Sequence, residues 1–418
     1  MATIQHITAR EILNARGNPT IETTMTLDNN QKVTASCPSG TSVSSYEAVE
    51  LHDGDTRRFD GLGVKKAIEN ITKIITPSLL GKDTTQQQEI DNIMIELDGT
   101  PNKNKLGANA ILCVSLCVAR AAALSKNVSL FRYIASLAGI SSFKIPTPLF
   151  NVINGGKHAQ NSFDLQEFII TSLPSATFSD SLQMAYTIYH TLKKMLLLNN
   201  LSTLIGDEGG YSPALSTNSD ALAFLKTAIE ESGYRLGVDT FLGTDAAATS
   251  FFKDGRYFIK DKPTPQTNAE LIPYYEKLAT DFDLIYMEDV MAEDDWDGWI
   301  HAMAMSSEKR MIVGDDLIST NPARLQMAID KKAVSGVIIK PNQIGTVSET
   351  IAVVKQAQSA GLKVIVSHRS GETNDDFIAD FAVGVGADYC KFGAPARGER
   401  VAKYNRLLAI EEELQYSR

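Results

Sequence analysis

The stretch from Gly336 to Thr346 reads Gly-Val-Ile-Ile-Lys-Pro-Asn-Gln-Ile-Gly-Thr. Its short β-branched apolar run reads as a buried parallel strand. The run ends on Lys340, after which Pro341, Asn342 and Gly345 bend the chain away. Thr346 with Glu349 reads as a capping box for the next helix. A cation therefore stands at the carboxyl end of a buried strand, where open α/β sheets and (β/α) barrels keep their active sites. Taken alone, such a lysine can simply reach solvent past the strand end.

Its neighbours in sequence repeat the pattern. Leu284 to Met287 ends at Glu288-Asp289, and Met311 to Gly314 ends at Asp315-Asp316. Lys363 to Val366 ends at Ser367-His368-Arg369-Ser370, and Tyr389-Cys390 ends at Lys391. From Glu288 to Lys391 these end residues are spaced 23 to 28 positions apart, close to the roughly 30 residues per unit of a (β/α) barrel. Helical segments fit between them; Asn321-Pro322 reads as an N-cap followed by proline at the first helical position. The series predicts a ring of ionisable groups around one mouth.

The chain ahead of this series reads differently. Thr20 to Leu27 and Lys32 to Ser36 flank Asp28-Asn29-Asn30, a hairpin pattern. Pro38 to Ser45 is small and polar, as a surface loop or lid should be. Val64 to Leu80, Gln86 to Leu97 and Ala108 to Leu124 carry helical periodicity. Lys144 to Pro148 reads as a junction, so the expected domains are 1–140, an α+β module, and 141–418, the size of one (β/α) barrel. Within the latter, Asp164 to Ile170 reads as a strand with a carboxylate in its middle. Ile205 to Gly210 is a turn carrying Glu208, and Phe241 to Asp245 is another apolar run ending in an acid.

Composition narrows the function. The formal net charge is −10, which argues against nucleic-acid binding as a main role. An anionic substrate must therefore be met by local cations or metal ions. Cys37, Cys113, Cys117 and Cys390 show no metal-site spacing. The N-terminus lacks a signal-type apolar region, and no run suggests a membrane span. The expectation is a cytoplasmic protein.

Asp245, Glu288 and Asp315 are three carboxylates at three strand ends, a set of hard oxygen ligands that suits Mg²⁺. Lys340 is the candidate base, and nearby cations such as Lys391 are expected to lower its pKa. Glu167 and Glu208 are candidate acids, raised by burial. His158 and His368 lie in polar turns. Arg369-Ser370 offers a fork and a hydroxyl for a phosphate.

These segments resemble the signatures of the enolase family. The motifs are Lys340 to Thr346, Ser367 to Thr373, Gly206 to Gly210, Ala9 to Leu13, Arg16 to Thr20 and Ala402 to Asn405. The resemblance runs collinearly over essentially the whole chain. It implies a (β/α)8-type barrel with an N-terminal α+β domain, and reversible dehydration of 2-phospho-D-glycerate to phosphoenolpyruvate. It implies two Mg²⁺ per site, the first held by Asp245, Glu288 and Asp315, the second aided by Ser39. Lys340 corresponds to the base at C2 and Glu208 to the acid at the C3 hydroxyl, with Glu167 and Gln166 beside it. Lys391 and His158 correspond to substrate contacts, Arg369 and Ser370 to phosphate contacts, and His368 to a further site residue. A homodimer or higher homo-oligomer is implied as well.

Departures fall mostly outside this set. The lid reads Ser39-Gly40-Thr41-Ser42-Val43-Ser44 where the family usually has Ser-Gly-Ala-Ser-Thr-Gly. His52, Asn14, Val290 and Phe392 replace the usual arginine, aspartate, proline and threonine. A different reaction on a non-phosphorylated acid sugar is disfavoured by Arg369-Ser370 and the lid serine. A non-enzymatic scaffold is disfavoured because no ligand of the set is lost.

Overall fold

The computed structural model describes residues 2–40, 44–159 and 163–416. The chain opens with three antiparallel strands, β1 (Ile4–Leu13), β2 (Pro19–Leu27) and β3 (Lys32–Ser36), in the order β1-β2-β3. Leu27 N donates to Gln31 O across the hairpin turn, where Asn30 takes a left-handed φ of 65°. Helices α1 (Gln87–Asp98), α2 (Ala108–Ser125) and α3 (Leu130–Ala138) follow.

Helix α2 is apolar on nearly every side, because it is covered on nearly every side. Cys113 Sγ lies 3.5 and 3.3 Å from the Ile21 and Ala35 carbonyls, and Cys117 Sγ 3.2 Å from that of Thr23, so one face sits on the sheet. Other contacts go to α1, α3 and barrel segments. By length and composition alone α2 could cross a membrane, with a mean hydropathy of 1.7, but 83% of it is buried inside the protein. The expectation that no run suggests a membrane span is corrected to this extent: an apolar helix of that length exists, and it is a core helix.

The rest of the chain closes an eight-stranded barrel. Its strands are β4 (Thr147–Asn154), β5 (Glu167–Ser172), β6 (Thr240–Asp245), β7 (Leu284–Glu288), β8 (Met311–Gly314), β9 (Gly336–Ile339), β10 (Lys363–Ser367) and β11 (Tyr389–Lys391). Leu149, Ile169, Tyr286, Val313, Ile338 and Ile365 fill the interior as one small apolar cluster. The barrel departs from a regular parallel one at a single strand. β5 runs antiparallel to both β4 and β6, while the remaining pairs are parallel. The sequence pattern placed a carboxylate in mid-strand. In the structure the strand begins at Glu167, and its reversal puts this first residue at the same mouth as the last residues of its neighbours. Glu167 is the Cα partner of both Asn154 and Asp245.

The two parts are locked together behind Lys340. Asn321 accepts from Ala323 N and Arg324 N and opens the helix Pro322–Lys331. Thr346 caps Val347–Ser359 by accepting from Glu349 N at 3.1 Å. The expected return bond of the capping box is not made: the Glu349 carboxylate takes the Thr346 hydroxyl at 2.7 Å and the Lys103 ammonium at 3.0 Å. The remaining amides of that helix end are satisfied by the N-terminal helices. Val347 N donates to Ser115 Oγ and Ser348 N to Asp91 Oδ2, both at 3.0 Å.

Candidate active site

A cavity opens at this mouth. His158, Gln166, Glu167, Glu208, Asp245, Asp315, Lys340, His368, Arg369, Ser370 and Lys391 all line it. Of the remaining expected residues, Glu288 lies just beneath, fully buried, on Lys391. Ser39 reaches the site through the turn after Arg369: its backbone pairs with Gly371 in both directions, at 2.9 and 3.0 Å.

Two lysines neutralise the carboxylates. Lys391 Nζ lies 2.8 and 2.9 Å from the Glu288 oxygens, 3.0 Å from Glu167 Oε2 and 3.4 Å from Asp245 Oδ2. Lys340 Nζ pairs with Asp315 Oδ2. Burial pulls the Lys340 amine down, but the adjacent Asp315 outweighs it and holds the pKa above the ordinary lysine value. The expected lowering by neighbouring cations is therefore not met while Asp315 stays on the ammonium.

The carboxylates still outnumber the cations. Glu167, Glu208, Asp245, Asp289, Asp315 and Asp316 face the cavity against Lys340, Arg369 and Lys391. Burial, then Asp245, pushes the Glu288 carboxyl up to about 8. Burial, then Asp315, pushes that of Asp316 up to about 7. Ligand oxygens of Asp289, Asp315 and Asp316 lie within 4.8 Å of one another. Such an excess of hard oxygen donors is relieved by protons or by a cation. The residues present therefore fit a divalent metal.

On the other side stands a second cluster. Ligand atoms of His158, Glu167 and Glu208 fall within 4.8 Å of one another. Burial, then Glu208, raises the Glu167 carboxyl well above the usual range. Burial pushes Glu208 the same way, but the neighbouring His368 and His158 more than reverse it and hold that carboxyl well below the range. The expectation that burial raises both acids thus holds for Glu167 and fails for Glu208. Asn151 Nδ2 donates to Glu208 Oε2 at 3.1 Å, and His368 Nε2 lies 3.2 Å from the same oxygen.

The tautomer of His368 follows from its other neighbour. Arg400 Nη1 lies 2.7 Å from His368 Nδ1. A guanidinium can only donate, so Nδ1 accepts and the proton of the neutral ring sits on Nε2, facing Glu208. Burial, which lowers the His368 pKa to about 4, agrees with a neutral ring.

Asn14, which replaces the usual aspartate, donates from Nδ2 to Ser39 Oγ at 2.7 Å. Of the lid, Thr41, Ser42 and Val43 lie outside the described residues. Beyond them Ser44, in place of glycine, is buried and donates to Glu293 Oε2 at 2.6 Å. Val290 and Phe392 are core residues, and His52 Nδ1 meets the Leu62 carbonyl at 3.0 Å.

Several site residues went unnoticed in the sequence. Asn151 sits inside an apolar strand, and Asp289 and Asp316 were passed over for their neighbours. Arg400 is fully buried and holds the turn 368–370, donating to the Arg369 and Ser370 carbonyls at 2.6 and 2.7 Å. A signal existed for it: Arg400 and Lys403 share a helix stripe with Leu407 and Ile410, and a cation on an apolar stripe needs buried partners.

Fold and mouth define a barrel enzyme with a buried acid–base site and an acidic, metal-capable rim. The family models for the enolase C-terminal TIM barrel domain and the enolase N-terminal domain match residues 142–417 and 4–134. An enolase of Acidothermus cellulolyticus is 49% identical over 414 residues, covering 99% of this chain and 95% of its own. An enolase of Beutenbergia cavernae is 46% identical over 414 residues, covering 99% of this chain and 96% of its own. The chain belongs to the enolase family, and with it to the phosphopyruvate hydratases, which are carbon–oxygen lyases.

Proposed function

We propose that this chain carries out the reversible, Mg²⁺-dependent dehydration of 2-phospho-D-glycerate to phosphoenolpyruvate in the cytoplasm, as a glycolytic enzyme. One observation carries the reading: in a single cavity, the amine of Lys340 faces a carboxyl pair in which Glu167 is pushed towards its protonated form and Glu208 towards its ionised form. An amine and a carboxyl pair of opposed proton affinity thus share one cavity, the components that general acid–base chemistry needs.

Once Asp315 leaves it, Lys340 sheds one proton to solvent, and its neutral amine then takes the C2 proton on Nζ. Glu208 delivers a proton to the departing C3 hydroxyl, drawing on the proton held by Glu167. His368 and Asn151 orient Glu208. Arg369 and Ser370 grip the phosphate, while Lys391, His158 and Gln166 hold the rest of the substrate. Asp245, Glu288 and Asp315 would hold one Mg²⁺, and Ser39 with the substrate a second. When bound, these ions supply the positive charge that makes a proton beside a carboxylate removable. The excess of carboxylates over cations supports such a charge requirement. We further propose a division into 1–140 and 141–418, and a homodimer or higher homo-oligomer.

Formation of phosphoenolpyruvate from 2-phosphoglycerate, followed with and without Mg²⁺, tests the reading. Absence of product under both conditions refutes it.

A further inference from the structure

Both described roots of the lid close on one guanidinium. Gly40 lies in the lid just ahead of residues 41–43, and Glu47 just after the lid. An ideal Cβ placed on Gly40 would lie 1.8 Å from Arg369 Nη2, so the backbone passes closer to that group than any side chain allows. From the far side Glu47 Oε2 accepts from Arg369 Nη1 at 2.8 Å, and Oε1 from Nη2 at 3.3 Å. Both side chains of this pair are about 4% exposed.

Glu47 also reaches the base. Its Oε1 accepts from Gln343 Nε2 at 3.4 Å, and the same amide donates to Asp315 Oδ1 at 3.2 Å. Gln343 is held in turn by Thr320, whose Oγ1 donates to its Oε1 at 2.6 Å and accepts from Lys340 N at 2.9 Å. Ser44 N, at the lid's end, donates to Glu47 Oε1 at 3.2 Å.

We infer that Glu47 is a positioning residue for substrate phosphate: it fixes the Arg369 fork in the orientation a phosphate needs. The physical reason is pre-organisation. An arginine side chain has considerable rotamer freedom, and a planar fork binds phosphate well only when aimed. A two-point carboxylate contact, with Gly40 packed against the group, removes that freedom before substrate arrives. The structural alternative is that Glu47 merely compensates a buried charge. The two differ in what depends on Arg369.

The inference rests on Arg369 being a phosphate contact, so the test includes that residue. KM and kcat for 2-phosphoglycerate are measured at saturating Mg²⁺ for wild type, Glu47→Gln, Arg369→Ala and the double variant, with thermal melts of each. Glu47→Gln keeps the shape and is the variant most apt to fold; Glu47→Asp serves as partial rescue. A charge-assisted contact of this kind corresponds to about a 10- to 100-fold effect. Glu47→Gln should raise KM by about tenfold or more, with kcat changed far less, as expected for binding common to ground and transition states. In the Arg369→Ala background the same change should leave KM within about twofold, because there is no fork left to aim. Glu47→Asp should recover part of the loss.

If Arg369→Ala leaves KM unchanged, the phosphate reading of Arg369 fails and the inference falls with it. If Arg369→Ala raises KM while Glu47→Gln does not, the phosphate reading stands and the inference alone is overturned. Equal KM increases from Glu47→Gln in both backgrounds, with lower melting temperatures, would reduce Glu47 to charge compensation.

Discussion

Glu167 and Asp245 face each other as Cα partners across two antiparallel strands, and the ammonium of Lys391 bridges their carboxylates at 3.0 and 3.4 Å. One reversed strand thus delivers an acid to the mouth from its first residue while its neighbour delivers one from its last. The lysine at the end of β11 keeps the two from repelling each other. Glu167 thus clusters with His158 and Glu208, apart from the cluster of Asp289, Asp315 and Asp316.

Metal removal should abolish the reaction. Treatment with a chelator is expected to bring phosphoenolpyruvate formation to background, and Mg²⁺ to restore it. Mg²⁺ should also raise the thermal midpoint, since a ligand at a hundred times its Kd stabilises by about 2.7 kcal/mol. Full activity in metal-free buffer would contradict the charge reading of the rim.

Base and acid separate experimentally. In deuterated water, C2 proton exchange of 2-phosphoglycerate reports proton removal alone, and phosphoenolpyruvate reports both steps. Lys340→Ala should lose exchange and product together. Glu208→Gln should lose product by about 10²–10⁴-fold, the range for one acid–base group, while retaining measurable exchange. Wild-type exchange in Lys340→Ala, or exchange lost as completely in Glu208→Gln, would reverse the roles.

Ser44→Gly concerns the lid's root. The sequence alone suggests a change in lid closure at little cost in stability. The structure adds a buried hydroxyl bonded to the Glu293 carboxylate, whose loss should cost about 1.5–3 kcal/mol. Substrate affinity or turnover should shift modestly. Denaturant unfolding measures the first and steady-state kinetics the second; a cost above about 3 kcal/mol would make this segment a structural prop.

Arg400→Met keeps the bulk of the side chain but removes every donor. It leaves the Arg369 and Ser370 carbonyls and His368 Nδ1 without their partner. Each unsatisfied buried group costs about 1–3 kcal/mol, so the variant should lose at least ~3 kcal/mol in denaturant unfolding. Activity should fall with it because the turn 368–370 and the His368 tautomer both depend on this contact. A variant as stable and active as wild type would show that the turn holds itself.

The barrel was legible because its signal is local and repeated. A β-branched run ending in a charge, recurring at helix-sized intervals, can be read without knowing what lies opposite. Lys340, Asp315, Glu288, Lys391 and the turn around His368 are all legible this way, since a strand end at one mouth places its residue there whatever the loops do. The hairpin β2–β3 and the Asn321-Pro322 helix start were equally local.

What the sequence could not decide depends on partners distant along the chain. The direction of β5 is set by which strands it pairs with, so Glu167 read as mid-strand rather than as the first residue at the mouth. Charge state is also a property of neighbours. Lys340 is pulled towards its protonated form by Asp315, and Glu208 towards its ionised form by His368 and His158, none adjacent to it in sequence. The grip of Glu47 on Arg369 spans more than three hundred positions. The amino-acid sequence by itself determined which groups stand at which strand ends, because periodicity is local. Only the tertiary structure decided which of them touch, and hence which carries the proton, because electrostatic energies depend on separation in space and on burial.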